Sequence, residues 1–116
     1  MFQFKFSPMQ QLYISYPVTW TNTMIMNNLE RRIILNSMLY YEHNTNSMSD
    51  TQYNAISQQL SEMKESFPDD FNKTMYAYVF RDFDGSTGFD LFRKLRKEDK
   101  EHLMMIQDMF LKKGVV

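Results

Sequence analysis

Hydrophobic positions along the chain favour a mainly helical fold. Apolar side chains recur at helical spacing in a first long segment, from about Met24 to Glu42. Ile25 and Leu29 open a wide apolar face there. Asn22 or Thr23 offers a side-chain oxygen as N-cap. We therefore predict the first helix over this segment.

A second helix is predicted after the polar loop at residues 43–47. Ser49 and Gln52 have the spacing of a capping box, in which Ser49 accepts from a backbone N–H and Gln52 reaches back. Four apolar residues then follow on one helical face: Tyr53, Ile56, Leu60 and Met63. Phe67-Pro68 ends the helix, because the residue before proline disfavours helical geometry. The two helices should pack as an antiparallel hairpin.

Two segments alternate with a period of two, which is typical of strands. Phe2, Phe4 and Phe6 alternate with polar residues, and Thr74–Phe83 alternates between two apolar faces. We predict that Phe2–Phe6 pairs with Met75–Phe80 as a small two-stranded β element.

The last third of the chain should return to helix. A turn is predicted at 84–88 and a short helix at Phe89–Leu95. The final helix should run from Lys97 to Lys113, with a Gly114 C-cap and a buried line formed by Leu103, Ile106 and Phe110. The predicted fold class is thus mainly α (α+β): a helical hairpin plus C-terminal helices with a small two-stranded β element.

Residues 1–22 form an aromatic N-terminal arm, and 23–116 should form a single mainly helical domain. So much apolar surface must pack on the body of the protein or on a partner chain. Tyr13, Tyr16 and Trp20 are the candidate partner-binding residues. Burying one large aromatic contributes roughly 1.5–3 kcal/mol, and we expect the arm to pack on its own body.

Composition narrows the chemistry further. The 116 residues carry a net charge of −1, include no cysteine and contain only two histidines, His43 and His102. These values exclude thiolate catalysis and cysteine zinc sites, and they do not favour nucleic acid as a partner. No apolar run is long enough for a membrane span. Eleven methionines either fill helix cores or line an adaptable interface. We expect a soluble cytoplasmic protein without a metal or a resident cofactor.

The segment Asp82-x-Asp84-Gly85-Ser86-Thr87 follows an apolar run. It resembles the first motif of haloacid-dehalogenase-type phosphatases, which would imply an aspartate nucleophile and a magnesium ion. Too little chain follows it for the large α/β sheet that this family needs. An EF-hand is also not favoured, because Thr87 stands at the glycine position and Arg93 at the final glutamate position. We interpret the motif as a tight, glycine-assisted turn.

The hairpin segment carries a more specific pattern: Leu39-Tyr40-Tyr41, a polar loop, Ser49-Asp50-x-x-Tyr53-Asn54 and a Phe67-Pro68 end. It resembles the N-terminal helical subdomain (Ia) of NAD-dependent DNA ligases, over about residues 29–69. That family shows Ser-Asp-x-x-Tyr-Asp at the second element, so Asn54 stands where the family has an aspartate.

The ligase resemblance implies a site for the nicotinamide mononucleotide half of NAD. The matching positions are Tyr40, Tyr41, Asp50 and Tyr53. Tyrosines can stack on a flat polar ring, and the Asp50 carboxylate can accept from ribose hydroxyls. In the alternative interpretation, the same residues only hold the hairpin together.

Ligation itself is excluded, because the Lys-x-Asp-Gly setting of the family's nucleophile does not occur. The chain is similar to small stand-alone ligase-related proteins of bacteriophages. We therefore expect a non-catalytic phage-type accessory protein that binds a bacterial host protein in the host cytoplasm, in counter-defence or host takeover. The alternative is a small-molecule binder of NAD or nicotinamide mononucleotide.

Overall fold

Helices account for most of the protein in the computed structural model, which describes residues 9–85 and 91–113. The α-helices in these ranges are α1 (Asn22–His43), α2 (Asp50–Ser66), α3 (Pro68–Asn72), α4 (Ala77–Phe80) and α5 (Lys97–Lys113). Short 3₁₀ turns occupy Gln10–Leu12 and Leu91–Lys94. The predicted mainly helical class is confirmed.

The α1–α2 hairpin is built by local signals at its helix ends. Thr21, one residue before the predicted candidates, caps α1 by accepting from the Met24 N–H at 3.2 Å. Asn44 ends α1 in the left-handed region, with φ 50°. Ser49 caps α2 as predicted, since its Oγ accepts from the Gln52 N–H at 3.1 Å. The reciprocal contact of the capping box, from Gln52 back to Ser49, does not form. The Gln52 side chain instead donates to the Leu12 C=O of the arm.

The core lies between this hairpin and the shorter helices. Its largest fully buried side chains come from four helices: Met26, Leu29, Ile33, Ile34, Met38 and Leu39 of α1, Ile56 and Leu60 of α2, Val79 and Phe80 of α4, and Leu103 of α5. Helix α1 contributes the most members, so it is the element around which the others pack.

The predicted strand at Met75–Phe80 is wrong, because this run is a turn followed by α4. Its buried members are Tyr76, Ala77, Val79 and Phe80, which is the i, i+1, i+3, i+4 spacing of a helix. Met75 is 61% exposed. None of the described residues forms a β-strand, and the predicted Phe2–Phe6 strand lies outside the described ranges. A short apolar run fits helix or strand equally well by periodicity.

Helix α5 has the predicted bounds and is fixed at its start by Tyr78. The Tyr78 hydroxyl donates to the Asp99 carboxylate and accepts from the Arg96 N–H at 3.0 Å. The Arg96 guanidinium also lies over the Tyr78 ring, 4.4 Å from its centroid. Burial first, and the Asp99 carboxylate second, raise the pKa of Tyr78 to about 12. The predicted helix before α5 is present as the 3₁₀ turn Leu91–Lys94, whereas Gly114 lies outside the described ranges.

The described part of the arm is docked on the hairpin by side-chain to backbone hydrogen bonds. Gln59 pairs with both backbone groups of Ile14: its Oε1 accepts from the N–H at 3.0 Å, and its Nε2 donates to the C=O at 2.9 Å. Gln52 Nε2 donates to the Leu12 C=O at 2.9 Å. Side chains of α2 therefore satisfy both backbone groups of Ile14 and the carbonyl group of Leu12.

None of the helices in the described ranges combines the length and the hydrophobicity that crossing a bilayer requires.

Candidate functional site

Two of the four residues of the ligase-like pattern lie together at the end of α1. The Tyr40 and Tyr41 rings meet edge to face, with centroids 4.9 Å apart, and each side chain is more than 40% exposed. The loop that follows folds back on α1, because Asn36 Oδ1 accepts from both the N–H and the Oγ of Ser47, at 3.0 and 3.1 Å. This contact holds the loop beside the last turns of α1.

The other two residues begin α2 and differ in environment. Asp50 is exposed in the first turn of α2, where a carboxylate is favoured by the helix dipole. Tyr53 is half-buried against the core, and its hydroxyl lies 3.4 Å from the Ser37 hydroxyl of α1. Tyr53 therefore joins the two helices of the hairpin, while Tyr40, Tyr41 and Asp50 face solvent.

The Asp82–Gly85 motif belongs to a turn, at residues 80–85, that surrounds the ammonium group of Lys64. Lys64 Nζ donates to the carbonyl oxygens of Phe80, Arg81 and Phe83, at 2.7, 2.5 and 3.0 Å. Burial lowers the pKa of Lys64, and the neighbouring Asp82 and Asp84 act in the opposite direction. Carbonyls that would otherwise suit a hard cation are thus bound to Lys64. Within the described ranges, no group of three or more metal-binding side chains occurs.

Two of the candidate partner-binding aromatics of the arm, Tyr13 and Tyr16, contact the body of the protein, and Trp20 packs on Tyr16. The Tyr16 hydroxyl donates to Asn28 Oδ1 at 2.7 Å, and Trp20 packs on Tyr16 with ring centroids 5.2 Å apart. Tyr13 is half-buried on the α2 side, where burial and the nearby Glu62 carboxylate raise its pKa to about 12. All three side chains remain partly accessible.

Helix α5 exposes apolar side chains outside its buried line. Leu103 is fully buried, Ile106 and Phe110 are half-buried, and the predicted line is thus present with its last members partly open. Met105 and Met109 are 63% and 51% exposed. They lie four residues apart and flank Ile106, so the three form one apolar strip. We call Met105, Ile106 and Met109 the methionine strip.

Two cavities meet at one arginine of α1. The first, of about 310 Å³, lies between the arm, α1 and α2 and is lined by Ile14, Arg32, Ser47, Met48, Gln52 and Ile56. The second, of about 250 Å³, lies between α1 and α5 and is lined by Asn28, Arg31, Arg32, Leu35 and Ile106. Ile106 belongs to the methionine strip, so the strip continues into the second cavity.

Comparisons of this chain with protein-family models, with curated proteins and with solved structures found no significant match. The resemblance to the ligase subdomain therefore stays a prediction.

The sequence pattern did not single out Arg31 or Arg32 as site residues. The first of the two cavities joins Ile14, Arg32, Met48 and Ile56, which come from four separate segments, and no local pattern connects them. The methionine strip did leave a signal, since Met105 and Met109 have i, i+4 spacing beside the buried line.

Proposed function

We propose that this protein is a non-catalytic accessory protein that acts by binding another protein. The observation that carries the proposal is the methionine strip on α5. Met105 and Met109 expose more than half of their side chains next to the half-buried Ile106. Covering apolar surface of this kind is favourable at roughly 25 cal/mol per Å² of area removed from water.

Methionine suits such a surface for a specific reason. Its unbranched thioether side chain adapts to differently shaped partners, and it is frequent at binding surfaces for this reason. The strip lies beside two exposed arginines of α1, and arginine and methionine are both enriched in protein interfaces. The likeness of the hairpin to a ligase subdomain supports a bacterial host protein as the partner, in a phage-type counter-defence or takeover role.

The test is cross-linked capture from a bacterial lysate with three forms of the chain. The wild type should retain a defined partner, and the double variant Met105→Ser/Met109→Ser should lose it. The matched control is Met75→Ser, which changes an equally exposed methionine in the turn before α4. A partner retained by the double variant would contradict the proposal. The proposal would also be contradicted if the wild type and the control formed a dimer and the double variant were a monomer, because a second copy of the chain would then cover the strip.

A second candidate function is the binding of nicotinamide mononucleotide or NAD at the end of α1. The observation that favours it is the exposed, edge-to-face Tyr40–Tyr41 pair, which lies next to the loop leading to Asp50. Calorimetry with NAD, its mononucleotide and AMP tests it. We expect the mononucleotide to give heat of binding, AMP to give none, and the variant Tyr40→Ala to lose the heat seen with the mononucleotide. No heat at millimolar ligand would exclude this function.

A further inference from the structure

The two exposed guanidinium groups of α1 lie beside the methionine strip. Arg31 and Arg32 are both exposed, and both line the cavity that contains Ile106. Arg32 also lines the cavity on the α2 side. One arginine is thus shared by two partly apolar cavities, one between α1, the arm and α2 and the other between α1 and α5.

The orientation of Arg32 is held by a side chain of its own helix. Its Nε donates to Asn28 Oδ1 at 2.7 Å, and the same oxygen accepts from the Tyr16 hydroxyl at 2.7 Å. A guanidinium has five N–H donors in a rigid fork. The bond to Asn28 uses one donor and the Tyr16 side chain engages another. The remaining donors can bind a planar acceptor such as a carboxylate.

The charge of these arginines is not balanced within the described ranges. Neither Arg31 nor Arg32 forms an ion pair with a carboxylate of residues 9–85 or 91–113. The adjacent Glu30 is fully buried, and its two carboxyl oxygens are hydrogen-bonded to the Thr74 hydroxyl and the Tyr76 N–H instead. An acidic group of a partner would meet two guanidinium groups without a competing carboxylate among these residues.

The walls of the cavities are suited to apolar side chains. Ile14, Met48 and Ile56 line the first cavity, and Leu35 and Ile106 line the second. An extended ligand whose carboxylate reaches Arg32 can place one apolar group in each cavity. A polypeptide has this arrangement, because its chain continues on both sides of every acidic side chain.

We propose that Arg32, assisted by Arg31, binds a carboxylate side chain of the partner protein, and that apolar residues on either side of that carboxylate enter the two cavities. This inference rests on the proposed protein-binding function and names the chemistry of the partner: an acidic segment with flanking apolar residues. Nucleic acid is disfavoured as the occupant, because the cavities beside Arg32 are lined largely by apolar side chains such as Ile14, Ile56 and Ile106, which offer nothing to a phosphate group.

The test uses three fluorescein-labelled peptides that differ only at the central position: Leu-Ser-Glu-Ser-Leu, Leu-Ser-Gln-Ser-Leu and Leu-Ser-Lys-Ser-Leu, each flanked by Gly-Ser. In an extended chain the two leucines then share a face with the central side chain. Binding to the full chain is measured by fluorescence anisotropy at low and at physiological ionic strength. The glutamate peptide should bind at least about tenfold more tightly than the other two, and salt should weaken this binding.

Variants then assign the site. Arg32→Gln should weaken binding of the glutamate peptide by about tenfold or more, a change that corresponds to one charge-assisted contact. Arg32→Lys should fall between the wild type and Arg32→Gln, because it keeps the charge and loses the fork. The matched control is Arg81→Gln, which removes an exposed arginine in the turn after α4. Unchanged melting temperatures would show that each variant is folded.

Three results would overturn the inference. The first is binding of the glutamate and glutamine peptides with equal affinity, or no binding of either at millimolar concentration. The second is an effect of Arg32→Gln no larger than that of Arg81→Gln. The third is binding of hexanoate, or of a labelled oligonucleotide, as tight as that of the peptide. If the peptides do not bind but the partner is still captured in a way that depends on Met105 and Met109, only this inference is refuted. If the glutamate peptide binds through Arg32 but capture does not depend on Met105 and Met109, the methionine strip is refuted as the binding surface.

Discussion

Glu30 is the buried carboxyl group that joins α1 to the turn before α4. Its Oε2 lies 2.8 Å from Thr74 Oγ1, and its Oε1 accepts from the Tyr76 N–H at 3.3 Å. The Thr74 hydroxyl is also 2.8 Å from the Phe71 carbonyl, so its single proton has two acceptors. A protonated Glu30 resolves the competition: it donates to Thr74, and Thr74 donates to Phe71. Burial, which is the largest cause, raises the pKa of Glu30 to about 7.

At the residue scale, we predict that stability falls as the pH rises toward neutrality. Between the ordinary pKa of 4.5 and the folded value of about 7, the folded chain keeps a Glu30 proton that the unfolded chain releases. The contribution of Glu30 is therefore complete below the lower value and lost above the higher one, by about 3 kcal/mol in all. Urea unfolding from pH 4.5 to 8 measures this loss.

The variant Glu30→Gln should remove most of this pH dependence. Glutamine can accept from Tyr76 and donate to Thr74, as the protonated acid does, so the variant should be about 1–3 kcal/mol more stable than the wild type at pH 8. Glu65→Gln is the matched control, because Glu65 is exposed on α2. A Glu30→Gln protein with the slope of the wild type would refute the assignment.

At the scale of elements, the amide group of Gln59 makes two of the hydrogen bonds that join the arm to α2. Gln59 is buried and makes both of its hydrogen bonds to the backbone of Ile14. The pairing resembles one step of a β-ladder made by a side chain, so the arm is held without a second strand. This contact explains how an irregular segment can lie on a helix with its buried backbone groups satisfied.

The variant Gln59→Met should release the arm. It keeps the length of the side chain and removes both hydrogen bonds, which should cost about 1–3 kcal/mol of unfolding free energy. Cleavage by chymotrypsin after Tyr13 should become faster before global unfolding occurs. Thr51→Met is the matched control, since Thr51 is exposed on the same helix and makes no hydrogen bond to the described part of the arm. Equal cleavage rates for the two variants would contradict this account of the arm.

At the scale of the whole molecule, the arm and the hairpin share one apolar body. Ile14 and Tyr16 pack against the core, whose buried members come from α1, α2, α4 and α5. The arm also forms one side of the first cavity, through Ile14. Removing it should therefore affect both stability and the proposed binding of an acidic segment.

Deleting residues 1–19 should lower the melting temperature of the chain markedly. This boundary keeps Thr21, which caps α1, so a loss reflects the packing of the arm and not the loss of a cap. Burial of Ile14 and Tyr16 alone is worth a few kcal/mol, roughly 1.5–3 for each side chain when fully buried. Thermal unfolding by circular dichroism measures the effect. If the truncated chain has the same melting temperature as the full-length protein, the arm serves a partner instead.

The sequence alone determined the helices whose signals are local. Ser49 caps α2, Pro68 follows its end, and α5 runs over the predicted Lys97–Lys113. Capping and apolar spacing act within one or two turns of a helix, so they can be read without knowing the fold. The positions of Tyr40 and Tyr41 near the end of α1 and of Asp50 at the start of α2 follow from the same local signals.

Only the tertiary structure decided the conformation of residues 74–80 and the grouping around Arg32. The Tyr76 N–H meets Glu30 across 46 residues, and the Phe80 carbonyl meets Lys64 across 16. These distant partners satisfy backbone hydrogen-bonding groups of a turn and a four-residue helix. The alternating apolar pattern of the same residues predicts a strand. The cavities likewise join Ile14, Arg32 and Ile106 from separate segments. Hydrogen bonds and apolar contacts between distant residues carry no periodic signal, because they depend on how the helices pack.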